Sequence, residues 1–213
     1  MMNVPRLRQL LMTAAAALLL AQPVLAGPPL LCFPFEIGTA ASLPVGTGGW
    51  ESIDRSYNTV SLVDDTLALL TPKTPVIVRM ETLRRATLYA ARNQKQAAVL
   101  LDRLQQRATI ADVNTPLALF DFGYLVETYK QATHLFGRPM QAVQNIDGYN
   151  LVTKSAAMTD DPGIDFALAV MTRDKTRGAD VYQAHLAKVL KAAKSNPAIG
   201  MNLARQFGND AGR

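Results

Sequence analysis

Apolar side chains return every three or four residues through most of this chain, and that beat predicts helices. Ala97, Leu101, Leu104 and Ala108 form one stripe. Phe122, Leu125 or Val126, Tyr129, Ala132 or Thr133, and Phe136 form a longer one, and Tyr182, Leu186, Val189 and Ala193 a third. Such spacing gives each helix one apolar side to bury against a neighbour. The predicted helices run from Ser61 to about 70, then 75–92, 94–110, through 122–136, 147–159, 162–173, 178–194 and 197–207. Val76-Ile77-Val78 would suit a strand in isolation. Thr74-Pro75 ahead of it and Met80, Leu83 and Ala86 behind it assign it to a helix, and no strand is predicted after residue 60.

The punctuation agrees with the periods. Ser61 precedes Asp64 by three residues, the spacing of a capping hydroxyl and its acid. Thr74-Pro75, Thr115-Pro116, Asp161-Pro162 and Asn196-Pro197 repeat one device, a cap-type residue followed by a proline whose missing N–H has no helical partner anyway. Gly137 and Gly208 stand where helices stop, and Asn93-Gln94 separates two of them. Gly123, inside the strongest stripe, implies close approach by another helix, since glycine there costs about 1 kcal/mol against alanine.

The first residues break the pattern. Arg6 and Arg8 lead into an apolar run from Leu10 to Leu20, Pro23 ends it, and Val24-Leu25-Ala26 offers small side chains to a peptidase. That order predicts a Sec-type signal peptide, residues 1–26, cleaved after Ala26, and a protein exported to the periplasm or outside the cell. Retention of the leader as an anchor is the weaker alternative, because the run falls short of the ~20 residues needed to cross a bilayer. Residues 27–60 carry Pro28, Pro29, Pro34, Pro44, Gly38, Gly46, Gly48 and Gly49, and predict an extended arm whose Leu31, Phe33, Phe35 and Ile37 lie against the helical body. A helical domain over 61–208 and a tail over 209–213 complete the division. The fold class is all-α: about seven helices in antiparallel hairpins, with the arm along one surface.

Removing 26 residues from 213 leaves 187, enough for one core, and removing two arginines lowers the net charge from +5 to +3. That is far from the dense basic patch of a nucleic-acid binder. A lone cysteine, Cys32, excludes an internal disulfide and is expected to be buried.

Ala86, Tyr89 and Ala98 occupy positions of the tetratricopeptide repeat, and Ala192 and Pro197 fit the end of such a unit. Over about a third of its length the chain resembles these paired-helix repeat proteins, although Asp102 and His185 stand where the repeat has apolar residues. The resemblance implies a short solenoid with a curved free surface. Gly27-Pro28-Pro29-Leu30-Leu31-Cys32 together with Val78-Arg79-Met80-Glu81-Thr82-Leu83-Arg84-Arg85-Ala86 is also similar to secreted bacterial proteins of unassigned function.

Catalytic motifs are sparse. His134 and His185 are the only histidines and have no metal-ligand spacing; the first falls on a polar helix face, the second at the edge of a stripe. No nucleophile elbow occurs, and Gly46-Thr47-Gly48-Gly49 lacks the lysine of a phosphate loop. Glu36, Glu51 and Asp54 could supply paired carboxylates for a hydrolase. Arg84 points into an apolar arc, where an unpaired charge is costly. It predicts either an ion pair with Asp64, Asp65 or Asp121, or an anion site in a groove. Arg85 is expected to pair with Glu81 on the polar side. Lys188, Lys191 and Lys194 share a polar face with no acid near them in sequence. The expected function is an exported interaction or scaffold protein that binds another envelope protein, with no cofactor. The alternative is a small-molecule, anion-binding module using Arg84, Tyr124 and Tyr129, followed by a hydrolase.

Overall fold

A computed structural model describes residues 29–110, 115–137, 140 and 143–208, so the predicted leader, its cleavage point after Ala26 and the tail lie outside the described residues. Eight α-helices and no strand are present among those described. In chain order they are α1 (Leu62–Leu69), α2 (Val76–Ala90), α3 (Gln94–Thr109), α4 (Thr115–Phe136), α5 (Gly148–Ala156), α6 (Pro162–Met171), α7 (Ala179–Ala193) and α8 (Pro197–Phe207). None of them is long and apolar enough to cross a membrane.

Local chemistry explains most boundaries. Asn93, Asp147, Asp161 and Asn196 each accept a bond from an N–H in the first turn of the helix they precede, satisfying a donor the helix leaves free. Two expected caps are made differently. Ser61 closes a 3-10 turn over Thr59–Ser61 and makes no side-chain cap. Thr74 turns its hydroxyl back to Leu69 O at 2.7 Å, which leaves Pro75 as the residue before α2. Gly137 and Gly208 adopt the positive φ expected of helix stops, at 61° and 50°.

Helix α2 is the axis of the molecule. Every residue from Val76 to Ala90 except Arg85 is buried. Helices α1, α3, α4 and α6 pack around it. The rest of its cover comes from residues 29–58, which form neither helix nor strand and place Leu30, Leu31, Phe35 and Leu43 in the core. That segment is bonded across the body: Leu30 N–H to Gln131 Oε1, Glu36 N–H to Asn202 Oδ1, Asn202 Nδ2 to Glu36 O, and Gln206 Nε2 to Phe33 O. Cys32, expected to be buried, is only partly covered. Its thiol is pushed up by desolvation, against the charge of Arg84 and with that of Glu51.

Helices α4 and α5 meet at two glycines. A Cβ on Gly123 would lie 2.6 Å from Gly148 O, and one on Gly148 would lie 2.3 Å from Gly123 O. Gly123 is thus the contact that brings the two backbones together.

Candidate functional site

On α2, Arg84 is expected to point into the apolar arc, and Glu81 and Arg85 to lie on the polar side facing water. Residues 29–58 cover that side instead. Glu81 is buried and accepts four bonds: from Phe35 N–H (3.0 Å), Arg84 Nε (2.8 Å), Arg84 Nη2 (2.9 Å) and Arg85 Nε (2.7 Å). Arg84 spends its Nη1 on Leu31 O (3.0 Å) and Trp50 O (2.9 Å), and Arg85 gives Nη1 to Leu43 O (2.6 Å). One carboxylate therefore organises two guanidiniums, and these in turn hold the carbonyls of the non-helical segment. Tyr89 adds a further tie, donating to Pro44 O and accepting from Asp54 N–H.

Arg84 does not meet Asp64, Asp65 or Asp121 as expected; its partner is Glu81, one turn away on its own helix. Asp121 is taken by Arg79 at 2.6 Å, and Asp65 accepts from Tyr57 OH. The Arg85–Glu81 pair forms as expected, but on a buried carboxylate rather than a polar face. The expectation failed because a helical wheel gives direction and says nothing about what a distant segment will cover.

Beside this network lies an open cleft of about 270 Å³. Its walls are Phe35, Ile37, Val45, the glycines of the 46–49 turn and Trp50, with Arg84, Arg85, Arg205 and Glu36. Two arginines on one buried glutamate leave one positive charge uncompensated. Arg85 is 17% exposed, and its Nη2 has no protein acceptor among the described residues. At the rim, Arg205 and Glu36 face each other at 3.4 Å, both about half exposed. Exposed pairs of this kind contribute about 0–1 kcal/mol and exchange partners readily. Val45 is 49% exposed, so the cleft presents apolar surface next to cationic surface. Gly46 is required by proximity: a Cβ there would sit 2.3 Å from Ile53 O.

The other candidate residues are dispersed. Tyr124 is buried, stacks on Phe120 and has a hydroxyl with no partner among the described residues. Its pKa is raised well above the usual value by desolvation and by the charge of Glu81, with Arg84 opposing. Tyr129 is buried elsewhere and donates to Ala97 O. Neither tyrosine lines the cleft. Lys188 has an acid nearby after all: Asp165 of α6 lies 2.9 Å from its Nζ. Those two residues are 23 apart in sequence, so the pairing is invisible until α6 and α7 pack. Lys191 and Lys194 are exposed. Of the three acids, only Glu36 lines the cleft, and Asp54 is held low by bonds from the Ser56 hydroxyl and N–H. His134 is exposed in the last turn of α4. His185 is within 3.0 Å of Tyr149 OH, and burial and Lys188 lower its pKa against the pull of Asp165. Among the described residues no group of three histidine, cysteine or acidic side chains is placed to hold a metal ion.

Arg205 and Trp50 are the functional candidates that sequence reasoning missed. Arg205 belongs to a helix end where a cation is ordinary, and Trp50 stands alone in a glycine-rich stretch. Comparison of the chain with protein-family models, with curated proteins and with solved structures finds no match.

Proposed function

We propose that this chain is an exported interaction protein that receives a carboxylate-bearing segment of another envelope protein in the Arg85–Arg205 cleft. In this reading the helices form a short tetratricopeptide-like stack of hairpins, residues 27–60 are its arm, and the predicted leader carries the protein out of the cytoplasm. The reading rests on the uncompensated guanidinium charge beside Trp50 and Val45. A peptide carboxylate there would accept from Arg85 Nη2 and displace Glu36 from Arg205, while an adjoining apolar side chain covers Val45 and the indole. Charge-assisted bonds of this kind are roughly twice as strong as neutral ones.

Trp50 is the single tryptophan, so its fluorescence reports on the cleft without a label. An acidic peptide with a free carboxyl terminus should saturate a Trp50 emission change that weakens with added salt. Arg205→Glu, at a half-exposed position, should lower the affinity at least tenfold and leave the fold intact. The same peptide with its acids replaced by amides, and its terminus amidated, should not bind. Equal binding of the neutral peptide, or no saturable change with the acidic one, would remove the proposal.

A further inference from the structure

A second cavity shares no lining residue with the cleft. It holds about 250 Å³ between the turn after α1, the end of α3 and the first turn of α4. Asp121, Arg79 and Arg107 supply its polar groups, and Leu70, Pro72, Ile110 and Leu117 apolar walls.

Each nitrogen of the Arg79 guanidinium donates one bond here. Its Nε donates to Thr74 O at 3.0 Å, its Nη2 to Thr71 O, and its Nη1 to Asp121 Oδ2 at 2.6 Å. The guanidinium thus fixes one carboxylate oxygen and pins the α1–α2 turn. The other oxygen, Oδ1, is buried and has no partner among the described residues. An ionised carboxylate accepts at both oxygens, and leaving one unmet in a buried place is costly. Arg107 gives one N–H to Leu70 O at 3.0 Å and none to Asp121, although its charge is felt there. The Asp121 carboxyl and the Arg107 guanidinium therefore belong to the lining of one space without bonding to each other.

The space, about 250 Å³, is far larger than a single water needs and has room for a small organic molecule. A metal cation is disfavoured, because two guanidiniums stand against one carboxylate. That surplus of one positive charge, next to the N-terminal end of α4, suits a monoanion. Ile110, at the mouth, is 61% exposed, and a ligand with an apolar body would cover it.

We propose that this cavity binds a small organic acid that carries a hydroxyl or amino donor: the donor gives its hydrogen to Asp121 Oδ1, the acid's carboxylate sits on Arg107, and its apolar part lies against Leu117 and Ile110. A hydroxy acid would leave the site neutral, whereas an amino acid would place its ammonium on Asp121 and keep the surplus. The proposal is independent of the cleft and stands if the cleft reading falls.

Three probes with one branched body separate the terms: 2-hydroxy-4-methylpentanoate, leucine, and 4-methylpentanoate, which lacks the donor. Calorimetric titration of the full chain, with each probe to roughly 10 mM, covers the range of weak sites. The expected result is saturable binding of the hydroxy acid or of leucine. Binding of 4-methylpentanoate should be at least tenfold weaker, because a buried acceptor left unmet penalises the analogue without the donor. Trp50 emission should stay unchanged throughout. Arg107→Gln should weaken binding tenfold or more. Because Arg107 also holds Leu70 O, Ile110→Trp provides a second variant that blocks the mouth from an exposed position, and it should abolish binding with the fold preserved. No binding by any probe would mean the cavity holds solvent only and would overturn the proposal. So would equal affinity for 4-methylpentanoate, or affinity unchanged in both variants.

Discussion

Glu81→Gln is the substitution to which this architecture should be most sensitive. The glutamate accepts four hydrogen bonds, three of them from guanidinium groups, in a place with almost no solvent. Gln keeps the shape but removes the charge and turns one acceptor into a donor facing two arginines. Bonds to charged groups contribute about 1.5–3 kcal/mol each, so simple addition gives about 6–12 kcal/mol. Addition overstates the loss, because the arginines retain the carbonyls of Leu31, Trp50 and Leu43 as acceptors. Breaking one partner of a buried pair typically costs about 3–5 kcal/mol, and that is the expected loss here. It would be a large part of the roughly 5–15 kcal/mol that stabilises an ordinary domain. Urea unfolding followed through Trp50 measures it, since the Trp50 carbonyl is one of the groups Arg84 holds. Native-state hydrogen exchange should show the Phe35 and Asp54 amides losing protection before those of α4. Adding Arg84→Met should cost less than the sum of the single losses, because it removes the stranded charge, with a coupling of about 0.5–3 kcal/mol. A loss below about 1 kcal/mol for Glu81→Gln would refute the idea that this carboxylate latches residues 29–58 to the body.

Three further outcomes follow from the packing, the caps and the buried aspartate. Gly123→Ala should destabilise by roughly 1–3 kcal/mol in thermal or urea unfolding, despite alanine's better helix propensity, because the new methyl meets Gly148 O and Leu151; stabilisation would contradict the close crossing. Asp161→Ala and Asn196→Ala should each cost about 1 kcal/mol, whereas Ser61→Ala should cost only a few tenths, since its hydroxyl caps nothing; equal costs in urea unfolding would contradict the cap assignments. Desolvation raises the Asp121 pKa to about 6 against Arg79 and Arg107, so the folded state holds its proton where the unfolded chain, with a value of 3.8, has lost it. This group's contribution is therefore fully present below 3.8 and is lost as pH rises through about 6. Relative to Asp121→Asn, the parent protein should gain roughly 2 kcal/mol between pH 7 and pH 4. A flat or opposite difference in parallel denaturation curves would contradict it.

The helices were legible because their causes are local. Period, Asn and Asp caps, and glycine stops act within a few residues, so Asn93, Asp161, Asn196 and Gly137 could be read from their neighbours. Gly123 was legible for a related reason: a glycine in a strong helix implies something pressed against it. Thr74 was misread because its hydroxyl had a competing local acceptor, Leu69 O. The candidate site was much less legible. Periodicity sends Arg84 into the apolar arc without selecting its partner, and assigns the polar-looking side of Glu81 and Arg85 to water. Here residues 29–58 bury that side, bringing Leu31 and Trp50 to Arg84 across 53 and 34 residues. Asp121 was named as a partner but matched with the wrong arginine, because helical direction selects a face and only tertiary packing selects the partner. Arg205 reaches Glu36 across 169 residues and had no sequence signal at all.

Backbone and side-chain chemical-shift mapping during titration with the acidic, free-carboxylate peptide tests the central claim most directly. The cleft account predicts that the Gly46, Gly48 and Gly49 amides, the Trp50 indole and the Arg85 Nε–H shift together and saturate with one affinity. Gly163 and Gly200, outside the cleft, should stay in place. Shifts that cluster on the Lys191 and Lys194 face instead, with Trp50 and Arg85 unmoved, would contradict it.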